Sequence, residues 1–135
     1  MSRAKTEKLI RRYYDAFNRG DMETFVSLLD PKVAHDVNQG GRETGAAKFK
    51  KFMVRMNTSY RERLSGITIM VSADGRRAAA EFVVHGTYLK TDKGLPKATG
   101  QRYKLPGGAF FEIRRGRIAR ITNYYNLQDW LAQIR

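Results

Sequence analysis

Residues 12–38, RYYDAFNRGDMETFVSLLDPKVAHDVN, decide the fold. They read as the end of an amphipathic helix, a Gly20-Asp21 turn, a second short helix, a break at Pro31 and a strand. From Thr6 to Arg19, apolar residues recur at Leu9, Ile10, Tyr13, Ala16 and Phe17, the spacing of one helix face. Gly20 can take the left-handed conformation that ends a helix, and the Asp21 carboxylate can cap the next one. Met22, Phe25, Val26 and Leu29 repeat the i, i+3, i+4, i+7 pattern, so the second helix also turns one face inward. Asp30-Pro31 stops it. Val33 to Asn38 then alternates as a strand, with Val33, His35 and Val37 on one face and Ala34, Asp36 and Asn38 on the other. Two side chains here have the chemistry of a site: the Tyr13 phenol can donate a hydrogen bond and the Asp36 carboxylate can take a proton.

Downstream, Gln39 to Gly45 reads as a loop and Ala46 to Asn57 as a third helix with Phe49, Phe52, Met53 and Met56 as its stripe. Near Tyr60 the period changes from that of a helix to that of a strand. Tyr60 to Ser72 and Arg77 to Lys90 are long strands joined by the hairpin turn Ala73-Asp74-Gly75. A polar loop, Thr91 to Gly100, leads to the strand Gln101 to Arg114, where Pro106-Gly107-Gly108 predicts a bulge or sharp bend. Arg115-Gly116 turns into Arg117 to Asn126. Asn126 then caps a terminal helix with the stripe Leu127, Trp130, Leu131 and Ile134. Helix, helix, short strand, helix and four long strands predict an α+β fold: a cone-shaped, bent antiparallel sheet on three N-terminal helices, with a short C-terminal helix. The inside of a cone is a natural ligand pocket.

The composition bounds what the chain can be. Its 135 residues suffice for one domain, 1–135, with a real core, and at 41% hydrophobic residues disorder is not expected. No run approaches the roughly 18 apolar residues of a membrane helix, and MSRAKTEKLIRR lacks a signal-type apolar stretch, so a cytoplasmic location is expected. The absence of Cys excludes disulfides and thiolate metal sites. No HxH or HxxxH spacing joins His35 to His85, so no metal is expected. Lys and Arg number 26 against 13 acids, a net charge of +13 that attracts anions. The cations are spread along the chain rather than gathered into a tract, so nucleic acid is the less favoured partner.

Arg12-Tyr13, Asn18-Arg19-Gly20-Asp21, Val33-Ala34-His35-Asp36, Phe110-Phe111-Glu112-Ile113 and Gly116-Arg117-Ile118 together carry a resemblance. The chain resembles the nuclear transport factor 2-like superfamily, in its ketosteroid isomerase-related and SnoaL-like branch, over nearly its whole length. That resemblance implies no cofactor. It places the family's helix-one Tyr on Tyr13, its general-base Asp on Asp36 and a second oxyanion donor on or beside Ala109. A methyl group donates no hydrogen bond, and losing one such donor typically costs about 10²–10³ in rate. True steroid isomerisation is therefore not expected.

The same resemblance points Ala119, Ile121, Asn123 and Tyr125 inward, with Asn123 free to replace the missing donor or to fix a water near Asp36. Asp36 would then sit in an apolar cone, where burial raises a carboxyl pKa toward the range of a working base. Phe49, Phe52, Met53, Met56, Phe82, Val84, Tyr88, Phe111, Ile121 and Tyr125 would wall a pocket for a small hydrophobic ligand. His35 falls on the opposite face from Asp36 and reads as a surface or interface residue, and Tyr103 receives no role. Val83, His85, Thr87, Phe110 and Tyr124 would point outward, too apolar a set for a wholly solvated face, which predicts a homodimer. Two functions follow: a cofactor-independent proton-transfer enzyme of isomerase, cyclase or hydrolase type, or a non-catalytic ligand-binding or assembly module, with a polyanion on its basic surface as a variant. A carboxylate of Asp36 clamped by Arg would favour the second.

Overall fold

The computed structural model describes residues 2–135, and among them the chain forms four helices and one open six-stranded sheet. Helix α1 (Arg3–Arg19) starts three residues earlier than the apolar pattern does, because the Ser2 side chain caps it by accepting from Lys5 N–H at 3.1 Å. It buries Leu9, Ile10, Tyr13, Tyr14 and Ala16. Gly20, at φ 71°, closes it in the left-handed region, and its N–H reaches back to the last turn. Asp21 caps α2 (Met22–Ser27) through Thr24 N–H, as its position predicts.

Helix α2 is shorter than its apolar stripe suggests. Strand β1 (Leu29–Asp36) begins at Leu29 and carries Pro31 within it. The loop expected from Gln39 to Gly45 contains a three-residue edge strand, β2 (Arg42–Thr44), paired antiparallel to β1. Then come α3 (Ala46–Ser59), β3 (Tyr60–Val71), β4 (Arg77–Tyr88), β5 (Arg102–Arg114), β6 (Arg117–Tyr125) and α4 (Leu127–Ile134). The sheet order is β2-β1-β6-β5-β4-β3. The four long strands form the expected antiparallel meander. The sheet is nonetheless mixed, because β1 lies parallel to β6.

The bulge expected at Pro106-Gly107-Gly108 is absent. Strand β5 runs unbroken through Pro106-Gly107-Gly108, in register with β4 throughout. Strand β6 ends opposite Gly107, so from Pro106 toward Arg102 the strand has no β6 neighbour to pair with. Gly107 serves packing instead: a Cβ there would approach Phe82 Cε1 to 2.9 Å. The register shifts lie between Ser65 and Thr68, around Gly66 at φ 60°, between Glu112 and Ile113, and between Leu29 and Ala34, the span that holds Pro31.

The core fills the inner face. Phe111 and Ile121 are opposite each other in the β5–β6 ladder and fully buried. Phe111 meets Tyr13 and Tyr14 edge-on at 5.6 and 6.1 Å. Helix α4, capped by Asn126, lays Trp130 and Ile134 over the far end of this face. The Gln133 amide locks it along β5, exchanging hydrogen bonds with the N–H and C=O of Lys104 at 2.8 and 2.9 Å. No helix among the described residues is long and apolar enough to cross a membrane.

Candidate functional site

The faces of β1 are the reverse of those expected. Val33 is fully buried and carries His35 inward with it, and His35 is 3% exposed. The His35 ring packs on Phe49 and Phe52 at 4.5 and 4.6 Å, so it is a core residue and not a surface one. Asp36 therefore lies on the outer face, in register with Thr122, across the sheet from Asn123. There it is clamped. Arg42 donates from Nε and Nη2 to its two oxygens at 2.6 and 3.0 Å, and Arg120 Nε adds a third bond at 2.8 Å. Arg42, then Arg120, hold the carboxyl far below the usual carboxylate range, so the expected rise in pKa is reversed. The reason lies in the neighbours. The outer face offers a carboxylate two guanidiniums, whereas the inner face beside Val33 offers it aromatic rings.

Asp36 is thus part of a surface network that also includes Glu112, 3.3 Å from Arg120 Nη1. Replacing it with Asn leaves the two guanidiniums beside each other without their shared anion. Asp36→Asn is expected to cost about 1–2 kcal/mol of stability, read as a shift in denaturant midpoint. Because the pairs depress the pKa, this contribution is fully present above the unfolded-state pKa of about 3.9. It is lost only as pH falls through the folded value, so the variant's deficit should be complete at pH 7.

The other expected site residues are dispersed. Tyr13 is 5% exposed and stacked on Phe25 at 4.5 Å, and burial, with Tyr14 beside it, pushes its phenol well above the usual value. Asn123 lies opposite Ala109 on the inner face, as expected, and is half-buried. Phe49, Phe82, Val84, Tyr88, Phe111 and Ile121 are core residues, while Phe52 and Met56 are half-buried and Tyr125 is 40% exposed. Of the ten expected wall residues, only Met53 lines the opening beside the end of α1.

That opening is a cleft of about 340 Å³, within the usual range for small-molecule sites. It lies between the end of α1 (Ala16, Phe17, Asn18), the start of α2 (Met22, Phe25), α3 (Met53, Asn57), the start of β3 (Tyr60, Glu62) and Leu89. Asn18 holds the corner in place. Its amide donates to Leu64 C=O and its oxygen accepts from Leu64 N–H, both at 2.9 Å. The end of α1 is thereby pinned to β3, and the cleft between them has a fixed width.

Arg19, Asp21, Arg61 and Glu62 also line this cleft; Asp21 is engaged by Arg19 and by Thr24 N–H, which leaves Glu62 as the carboxylate with a free oxygen. Glu62 shares the inner face of β3 with Tyr60 and Leu64, two pairs from each along the ladder to β4. It is exposed where it lines the cleft, and one carboxyl oxygen is held by Tyr103. Burial raises its pKa above the ordinary carboxyl value, and a hydrogen bond from Tyr103 Oη to Oε2 opposes that rise. No hydrogen bond reaches Oε1 among the described residues. Tyr103 is 4% exposed and meets Trp130 edge-on at 5.9 Å. Beside them, Tyr60 donates to Asp92 at 2.8 Å and stacks on Tyr88 at 5.4 Å. Among the described residues no three or more His, Asp or Glu side chains are grouped so that they could hold a metal ion.

A signal for Glu62 was present in the sequence. Tyr60, Glu62 and Leu64 alternate on one face, and an acid on the apolar face of a strand is an exception that asks for a reason. It was hidden by Arg61 and Arg63 on either side, which make the run look like a solvated charge cluster.

The comparisons agree with this architecture. The family profile of the SnoaL-like domain matches residues 10–121. A protein of Pseudomonas putida KT2440 whose name proposes a polyketide cyclase is 56% identical, covers 100% of this chain and 99% of its own, and superposes with a TM-score of 0.95. Proteins with the same proposed name from Xanthomonas campestris pv. campestris and Silicibacter sp. TM1040 are 54% and 46% identical. They cover 98% and 100% of this chain and 98% of their own, each with a TM-score of 0.96. No functionally curated protein matches. By its profile match and by these relatives, the chain belongs to the SnoaL-like domain family.

Proposed function

We propose that the chain is a cofactor-independent acid–base catalyst of cyclase or isomerase type, acting on a small carbonyl compound in the α1–α3–β3 cleft. One observation carries this reading: a carboxyl group with one oxygen held and the other without a partner lines the cleft, and burial raises its pKa. A base works best when its pKa approaches the working pH. Glu62 would take the proton next to a carbonyl, leaving the C–H electron pair as an enolate. In a cyclisation the enolate carbon attacks a second carbonyl, and the proton passes from Glu62 to the new alkoxide. The relatives named for polyketide cyclisation would use chemistry of this class. Asn57 lines the same cleft and brings an amide donor for the developing oxyanion.

The test uses 2-tetralone as the probe and follows deuterium uptake at its α-carbon by NMR. Catalysed exchange above the buffer rate is expected. Exchange at the buffer rate, together with saturable binding of the same ketone, would leave the second reading, a non-catalytic binding module. The clamping of Asp36 by two arginines favours that alternative.

The proposal includes a homodimer through the outer sheet face. Met70, Phe110 and Tyr124 are 50%, 47% and 53% exposed there, and Phe110 and Tyr124 meet edge-on at 5.6 Å. Such a patch is costly in water and suits a self-complementary contact. Phe110→Asp places a charge at its centre. It should convert a dimer into a monomer of unchanged helix content, as read by light scattering and circular dichroism. A wild-type monomer at micromolar concentration would rule the dimer out.

A further inference from the structure

We infer that Tyr103 is the positioning residue of the cleft: its hydroxyl holds one oxygen of Glu62, leaves the other to carry the proton, and reaches it through a notch made by Gly86. This rests on the reading of Glu62 as the proton carrier.

The geometry begins with the ladder. Glu62 on β3, Gly86 on β4 and Tyr103 on β5 form one cross-strand row on the inner face. Two strand spacings, about 4.8 Å each, separate the backbones of Glu62 and Tyr103. Their side chains can meet only by lying across the middle strand, and any side chain there would block them. At Gly86 there is none. A Cβ at that position would fall 2.1 Å from Tyr103 Cζ and 2.5 Å from its hydroxyl oxygen. Glycine is therefore required at residue 86 by the tyrosine ring rather than by backbone conformation.

The chemistry follows from which oxygen is held. A buried tyrosine needs a partner for its hydroxyl, and a backbone carbonyl suffices, as for Tyr88 with Pro96 at 2.7 Å. Tyr103 instead donates to a carboxylate in the cleft. Donation to the charged form stabilises it and fixes the plane of the carboxylate. Burial acts in the opposite direction, so the tyrosine sets how much of Glu62 is ionised at a given pH. Trp130 of α4 backs the ring and keeps it in place.

The experiment follows the side-chain carboxyl of Glu62 by ¹³C NMR across pH in the full-length wild type and in Tyr103→Phe and Gly86→Ala. It is paired with the pH profile of 2-tetralone exchange in each, and in Glu62→Gln. Tyr103→Phe keeps the ring and its packing and removes only the donor. The ratio of ionised to neutral Glu62 at fixed pH should fall about tenfold, equivalent to about 1.4 kcal/mol, and the acid limb of the exchange profile should move to higher pH with it. A merely structural tyrosine would leave both readouts where they are, and that result would overturn the inference. Gly86→Ala should reproduce the shift by displacing the ring, and if it does not fold, Tyr103→Phe decides alone. Exchange that survives in Glu62→Gln would defeat the proton-carrier reading and this inference with it. Exchange lost in Glu62→Gln but with an unmoved profile in Tyr103→Phe would defeat the inference alone.

Discussion

Glu62→Gln is expected to reduce turnover by about 10²–10⁴-fold, the usual contribution of a positioned general base. Glutamine keeps the length and planarity of the side chain and can still accept from Tyr103, so the cleft and ligand binding should remain nearly intact. The wild-type rate should rise with pH as Glu62 ionises, through an apparent pKa above the ordinary glutamate range, because burial disfavours the charged form. Stability has the opposite sign. A raised folded-state pKa means that the contribution of Glu62 is fully present below its unfolded pKa and is lost as pH rises through the folded value. Glu62→Gln should therefore gain stability over the wild type on the alkaline side while losing activity, the pattern of a site that trades stability for function. Both halves can be checked by combining the exchange assay with thermal melts across pH.

Phe111→Ala should have the largest effect on the fold. Phe111 is fully buried in β5, opposite Ile121 and in contact with Tyr13 and Tyr14 of α1. Truncation removes the ring that joins the sheet to the helix and leaves a cavity between two rigid elements, which cannot collapse easily. The expected cost is about 3–5 kcal/mol. Against a total stability of about 5–15 kcal/mol, that lowers the melting temperature by roughly 10–20 °C or prevents folding at 37 °C. Phe111→Leu, which keeps most of the volume, should cost about 1–1.5 kcal/mol. Equal melting temperatures for the two variants would mean that the α1–sheet contact is not the centre of the core.

The elements whose signals are local were legible in the sequence. Gly20, Asp21 and Asn126 act as the caps their positions imply, and the change of period at Tyr60 marks the start of the meander. The parallel pairing of β1 with β6 was not legible, because nothing within either strand records which neighbour it will have. The short strand β2 is visible only as a partner to β1.

The site divided along the same line. Alternation in β1 separates His35 from Asp36 but does not say which faces inward. Resemblance chose Asp36, whereas the burial of Val33 and the positions of Arg42 and Arg120 choose His35. Glu62 was hidden because its meaning depends on Tyr103, 41 residues away, and on a glycine on the strand between them. An acid between two arginines looks solvated until the sheet folds a tyrosine over it.

The central claim is that the proton in the cleft belongs to Glu62 and not to Asp36. The most direct measurement is 2-tetralone exchange at pH 7 by wild type, Glu62→Gln and Asp36→Asn, each confirmed folded at the assay temperature. The account predicts exchange at the buffer rate in Glu62→Gln and near the wild-type rate in Asp36→Asn. Loss of exchange in folded Asp36→Asn, with exchange retained in Glu62→Gln, would contradict it.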